Sequence, residues 1–271
     1  MSADSLPRAT GQPLLQVTGL TRRFGGLTAL DNADLAIADG EIHGLIGPNG
    51  SGKTTCINLI SGVLRPDAGR VVVGDRDIAG APAHVVARSG LARTFQSIRV
   101  FGRLSVAENV LVGFSQSLGY GLLDVLTFRS GAADRRLQAR AVELLEFVGI
   151  ADKRDAPATS LSYGEQRLVE IARALALSPR ALLLDEPLVG MNPTEVDRVV
   201  ELLVRLRAGG LTLLLVEHKM RVVMSICDRI SVLNFGRRIA SGAPEEIRAN
   251  PEVVSAYLGE GHGIRKSTAR R

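Results

Sequence analysis

The sequence predicts an α/β fold in which a buried parallel sheet carries a glycine-rich loop, with an antiparallel β region before it and a helical region inserted into it. Three observations point there. The aliphatic runs "ALLLDEP" (181–187) and "LTLLLVEH" (211–218) are strand-sized, end at charged residues and are separated by a helical pattern. The stretch "GPNGSGKT" (47–54) lies between an apolar strand and a helix. From about Ser97 to Ser160 the texture turns to helical spacing, as in "RRLQARAVELLEFVGI" (135–150).

Each element follows in order. Residues 14–46 alternate like short strands, "LLQVTGL", "LDNADLAIADG" and "EIHGLIG", and Asp39-Gly40 reads as a hairpin turn between the last two. "TTCINLISGVL" is helical, with Cys56, Ile57, Leu59 and Ile60 apolar, and "GRVVVGD" is a further strand. The helical region has a looser stretch near 115–133. A helix over 162–177 precedes the strand "ALLLDEP". Pro193 then opens a helix with Val196, Val199, Val200, Leu203 and Leu206 at helical spacing. "RISVLNFGRRIASG" reads as a hairpin and "PEEIRANPEVVSAYL" as two short helices.

With 271 residues, 45% hydrophobic and 23% charged, the chain has the balance of a globular protein with a sizeable core. The expected organisation is a leader over 1–13, one domain over 14–260 with its helical insertion at about 97–160, and a basic tail over 261–271. No apolar run approaches the ~20 residues that cross a bilayer. The opening "MSADSLPRATGQP" lacks the apolar core of a signal peptide, which predicts a cytoplasmic chain. Cys56 and Cys227 make neither a disulfide framework nor a metal spacing. The net charge is +5, and arginine carries nearly all the positive charge because only four lysines occur. With no tryptophan, no aromatic platform for single-stranded nucleic acid is present, and no nucleic-acid partner is expected.

"GPNGSGKT" fits the phosphate-loop pattern G-x-x-x-x-G-K-[ST], and each residue type has a reason. Glycines let the backbone wrap a phosphate with its N–H groups turned inward, and the helix that follows offers its positive end. Gly47, Pro48, Asn49, Gly50, Ser51, Gly52, Lys53, Thr54 and Thr55 form the cradle; Lys53 reaches the β- and γ-phosphates, and the Thr54 hydroxyl holds Mg²⁺. A chance match in a chain of this length is on the order of one in a hundred. "ALLLDEP" supplies the metal carboxylate, Asp185, and a candidate base for the attacking water, Glu186. Taken singly, Phe24 reads as core, Gln96 and Asn192 as loop residues and His218 as structural; their order along the chain carries the information. "LSYGEQ" (161–166) begins a helix that Ser162 caps, with Glu165 reaching back to complete a capping box.

This order resembles the ATP-binding subunits of ABC transporters: aromatic, phosphate loop, glutamine, signature, Asp-Glu strand, turn, histidine. "LSYGEQ" matches the family's Leu-Ser-Gly-Gly-Gln signature, with Tyr163 in place of the first glycine and Glu165 in place of the glutamine. The resemblance covers about residues 14–259 and implies a RecA-like P-loop NTPase core with an antiparallel β subdomain and an inserted helical subdomain. It implies that Phe24 stacks on adenine, Gln96 senses Mg²⁺ and water, Glu186 is the general base and His218 holds the γ-phosphate. In a head-to-tail dimer, Ser162 and Gly164 contact the ATP of the other subunit. Asn192 stands where an aspartate is frequent.

"LARTFQSIRVFGRLSVAENVLVG", "LSYGEQRLVEIARAL" and "NPEVVSAYLG" are similar to one branch, the larger ATPase subunit of bacterial branched-chain amino acid uptake systems. The same branch serves urea, short amides and other small solutes. The implied partners are a second ATPase subunit, identical or smaller, transmembrane permease subunits and, indirectly, an extracytoplasmic solute-binding protein. The implied place is the cytoplasmic face of the bacterial inner membrane. A soluble ABC ATPase of DNA repair or translation is the competing reading, although one motif set and no heptad run speak against it. The intact Lys53, Asp185, Glu186 and His218 speak against an inactive nucleotide-binding subunit.

Overall fold

The computed structural model describes residues 13–114 and 132–258. The expected leader apart from Pro13, most of the looser stretch near 115–133 and the basic tail lie outside the described residues.

Two sheets organise the chain. The first is antiparallel, in the order β2-β1-β4-β5, built from β1 (Leu15–Phe24), β2 (Leu27–Ile37), β4 (Ala68–Val73) and the short β5 (Arg76–Asp77). The second has the order β10-β9-β3-β8-β7-β6. Its members are β3 (Ile42–Ile46), β6 (Leu91–Arg93), β7 (Ala181–Asp185), β8 (Thr212–Val216), β9 (Arg229–Asn234) and β10 (Arg237–Gly242). All its neighbours pair parallel except β10, which forms the expected hairpin with β9.

The near-continuous aliphatic runs follow from burial on both faces. In β7, Leu182 and Leu184 point into one core and Ala181 and Leu183 into the other. In β8, Leu213 and Leu215 oppose Leu214 and Val216 in the same way. One core lies toward the antiparallel sheet and takes in helix α1 (Lys53–Ile60) through Cys56, Ile57, Leu59 and Ile60. The other core is covered by helices. They include α3 (Val106–Gly113), α4 (Ala132–Val148), α5 (Tyr163–Leu175) and α6 (Pro193–Ala208). Short helices α2 (Ala83–Arg88), α7 (Met220–Ile226), α8 (Pro244–Ala249) and α9 (Pro251–Leu258) complete the chain.

Asp39-Gly40 is not a hairpin turn, contrary to the sequence reading. β2 pairs with β1, whereas β3 lies between β8 and β9, so the turn passes the chain from one sheet to the other. The tight dipeptide is real, with Gly40 at φ 74°, but the partner strands are chosen by burial. β3 is buried at all five residues and can only sit inside the parallel sheet. Among the described residues no helix is long and apolar enough to cross a membrane.

Candidate nucleotide-hydrolysing site

The parallel strands deliver their following residues to one edge of the sheet, where ligands of open α/β sheets bind. β3 leads into Gly47, β6 into Gln96, β7 into Glu186 and β8 into His218. Geometry explains the first glycine. A Cβ on Gly47 would collide with the Leu233 carbonyl oxygen, and its φ of 152° falls where L side chains are strained. At Gly52, with φ 104°, a Cβ would lie 2.6 Å from the Ala29 carbonyl oxygen. The loop is therefore pressed against β9 and β2, and its curvature is fixed before any ligand arrives.

The loop's chemistry fits a polyphosphate. Lys53 is buried, and its ammonium donates to the carbonyl oxygens of Gly47 at 2.7 Å and Pro48 at 2.8 Å. It thus points back into the curve of the loop. Helix α1 has no side-chain cap and no acidic residue in its first turn. Helices α3, α5 and α6 instead begin with complete capping boxes from Ser105/Glu108, Ser162/Glu165 and Asn192/Glu195. The one helix start behind the loop is left to an anion. Thr54 is exposed in its first turn, with Thr55 half-buried beside it.

Asp185 ends β7 and is buried. Burial pushes its carboxyl above the ordinary carboxylate range, and Arg93 works against that shift. Arg93 donates to Asp185 Oδ2 at 2.9 Å, to Asn58 Oδ1 at 2.7 Å and to Ser61 Oγ at 2.8 Å, so it ties β7 to helix α1. Glu186 has φ 47°, an uncommon conformation for a side chain of this size, and its amide donates to the Val216 carbonyl at 2.9 Å. That bend turns Glu186 out of the strand, where its Oε2 accepts from Gln96 Nε2 at 2.8 Å. Among the described residues no three His, Cys, Asp or Glu side chains converge to hold a metal. Mg²⁺ takes hydroxyl, carboxylate and phosphate oxygens, and the exposed Thr54 and the strand-end Asp185 offer donors of the first two kinds.

His218 is exposed, and its position is set by the residue before it. Glu217 is buried and accepts from the amides of Leu188 at 3.0 Å, His218 at 3.1 Å and Lys219 at 3.3 Å. Lys219 Nζ returns a hydrogen bond to the Leu188 carbonyl at 2.9 Å. The turn after Glu186 and the turn bearing His218 are thereby locked together. Phe24, read singly as core, is 43% exposed at the end of the β1–β2 hairpin, with the Arg22 guanidinium 4.9 Å above its ring. Ala29 of the same hairpin meets Gly52.

Ser162 and Gly164 make no hydrogen bond to this group among the described residues. The Ser162 hydroxyl accepts from the Glu165 amide at 3.3 Å, and Glu165 returns the bond, as the sequence predicts. The hydroxyl also donates to Glu195 Oε1 at 2.9 Å. A Cβ on Gly164 would lie 2.7 Å from the same carboxylate. The Tyr163 ring fills the space over Gly190, whose φ is 78°. Asn192 is a helix cap as well as a turn residue.

Arg93, Glu217 and Glu195 escape a sequence reading, because Arg and Glu are surface residues by default. A glutamate immediately before the histidine and an arginine ending a short strand were the only local signals.

A phosphate loop, a strand-end Asp-Glu pair, a glutamine and a histidine all follow strands of one parallel sheet, the arrangement of a P-loop ATPase. The chain belongs to the ABC transporter family, whose model matches residues 30–189. A second model, described as the branched-chain amino acid ATP-binding cassette transporter, matches residues 237–263. The high-affinity branched-chain amino acid transport ATP-binding protein LivG of Salmonella typhimurium is 46% identical over 254 residues, 92% of this chain and 99% of that one. The lipopolysaccharide export system ATP-binding protein LptB of Escherichia coli is 37% identical over 246 residues, 91% of this chain and 97% of that one. The ADP conformation of MJ1267, an ATP-binding cassette of an ABC transporter, superposes with a TM-score of 0.80 at 32% identity, over 91% of this chain and 98% of that one. The protein is thus an ATP-binding, ATP-hydrolysing subunit of an ABC transporter.

Proposed function

We propose that this chain is the motor of an importer for branched-chain, hydrophobic amino acids. The observation that carries the substrate class is the match of residues 237–263 to the branched-chain model, joined by the likeness to LivG over nearly the whole chain. In this reading residues 14–260 form one ATPase domain that works in a head-to-tail dimer. It docks on a permease at the cytoplasmic face of the bacterial inner membrane, and a solute-binding protein outside supplies the solute.

The roles are those the family resemblance implies, and the geometry described above supports them. Phe24 stacks on the adenine. Lys53 leaves the Gly47 and Pro48 carbonyls for the β- and γ-phosphates, and the amides of the loop and of helix α1 hold the remaining oxygens. Thr54, Gln96 and Asp185 would hold Mg²⁺, which neutralises charge on the β- and γ-phosphates when bound. Glu186 takes a proton from the attacking water and His218 donates to the γ-phosphate. Ser162 and the start of α5 supply the last donors to the ATP of the second subunit.

Uptake in cells whose only copy carries Lys53→Ala tests this. Loss of leucine, isoleucine and valine uptake, with urea and short amides unaffected, is the expected result. Loss of another solute instead would move the substrate and keep the motor. Normal uptake of every solute would overturn the transport reading.

A further inference from the structure

Helix α5 begins at the signature and passes along the inserted region, yet its most buried charged residues have no part in the roles above. Arg167 is wholly buried and Glu170 is 2% exposed. They pair with each other at 2.7 Å. A buried ion pair adds little net stability, because desolvating both charges offsets their attraction. Its placement is the informative feature. Arg167 donates to the carbonyl oxygens of Phe95 at 2.6 Å and Gln96 at 2.8 Å. Glu170 accepts from the Arg99 amide at 2.8 Å. One ion pair on α5 therefore holds the backbone on both sides of Gln96.

The same segment leaves the parallel sheet just before this. Thr94 makes a sheet-like hydrogen bond, its amide donating to the Leu183 carbonyl at 2.9 Å. From Phe95 to Arg99 the backbone groups named above belong to α5, and Asn109 on α3 holds both the amide and the carbonyl of Phe101. The Gln96 side chain points the other way, to Glu186 at 2.8 Å. Its main chain is thus carried by α5 and its side-chain amide by the candidate base on β7.

We propose that Arg167 is a positioning residue for hydrolysis. It fixes Gln96 to helix α5, so that a displacement of the signature helix against the sheet is delivered to Glu186 through the Gln96 amide. The proposal rests on the reading of Glu186 as base, and not on which solute is transported. Arg167 touches neither nucleotide nor water in this account and acts only through Gln96.

A double-mutant cycle on ATP hydrolysis by the full chain decides it, with single-turnover kinetics where the steady-state rate is slow. Arg167→Met is expected to lower kcat about tenfold and to leave the KM for ATP within about twofold, the size of coupling seen between contacting groups. Placed on a Gln96→Ala background, the same substitution should change kcat by less than about twofold, because its route to Glu186 is already cut. Arg167→Lys, which keeps the charge beside Glu170 but cannot span both carbonyls, should fall between wild type and Arg167→Met. Multiplicative losses in the double variant, or a raised KM with unchanged kcat, would overturn the proposal. If Arg167→Met does not fold, the cycle is run with Arg167→Lys and read by the same criterion. Because hydrolysis is measured on this chain alone, a failed solute assignment leaves the outcome readable.

Discussion

The hydroxyl of Ser162 donates to Glu195 Oε1 at 2.9 Å, so the start of the signature helix is held by a carboxylate of its own chain. Glu195 sits three residues into α6, where it also accepts from the Asn192 amide at 3.1 Å. It occupies the positive end of α5 that the proposed mechanism assigns to a phosphate from the second subunit. Replacing Glu195 by glutamine keeps the size of the side chain and removes the charge. The apparent KM for ATP should fall by roughly threefold, the scale of one charge at an exposed helix end. An unchanged or raised KM in steady-state hydrolysis would show that Glu195 does not compete with that phosphate.

Helices α3, α4 and α5 share one core with a face of the parallel sheet. Leu145 on α4 is wholly buried in the core it shares with α3 and α5. Leu145→Ala should destabilise the fold by about 2–5 kcal/mol through lost burial and the cavity left behind. Urea unfolding monitored by circular dichroism measures this, and a change below about 1 kcal/mol would mean that α4 is not packed as described.

Burial pushes the Cys56 and Cys227 thiols up to about 12, with Asp228 and Glu41 adding to the effect at Cys227. Neither thiol should react with iodoacetamide in the folded chain at about pH 8, where both remain protonated. The stability consequence has a definite sign. In the unfolded chain each thiol ionises near its ordinary value of 9.0, whereas the folded chain keeps its protons to about 12. Stability from these groups is therefore fully present below about pH 9 and is lost as pH rises toward 12. Unfolding free energies at about pH 8 and about pH 10 should show a fall, shallower in Cys56→Ala.

Much of this was legible in the sequence because the relevant signals are local. "GPNGSGKT" fixes a loop shape by its glycines, and Ser162 and Glu165 lie three residues apart, close enough to cap a helix without help from elsewhere. The runs in β7 and β8 announce burial on both faces. What escaped depends on tertiary packing. Asp39-Gly40 looks like any hairpin turn until β3 is seen to be buried at every residue. Arg93, Arg167 and Glu217 are charged side chains that read as solvent-facing. Only the fold shows that Arg167 and Glu217 are buried and Arg93 partly so, with backbone or side-chain partners supplied by distant segments. The contact of Ser162 with Glu195 spans two helix starts, and nothing in either motif foretells it.

The central claim is that Glu186, turned out of β7 and held by Gln96, is the base for ATP hydrolysis. The most direct test compares ATP binding and ATP turnover in wild type and Glu186→Gln. The account predicts that the variant binds ATP with near-normal affinity while its turnover falls by at least about a hundredfold, the lower bound for a removed general base. Turnover within a few-fold of wild type would contradict it.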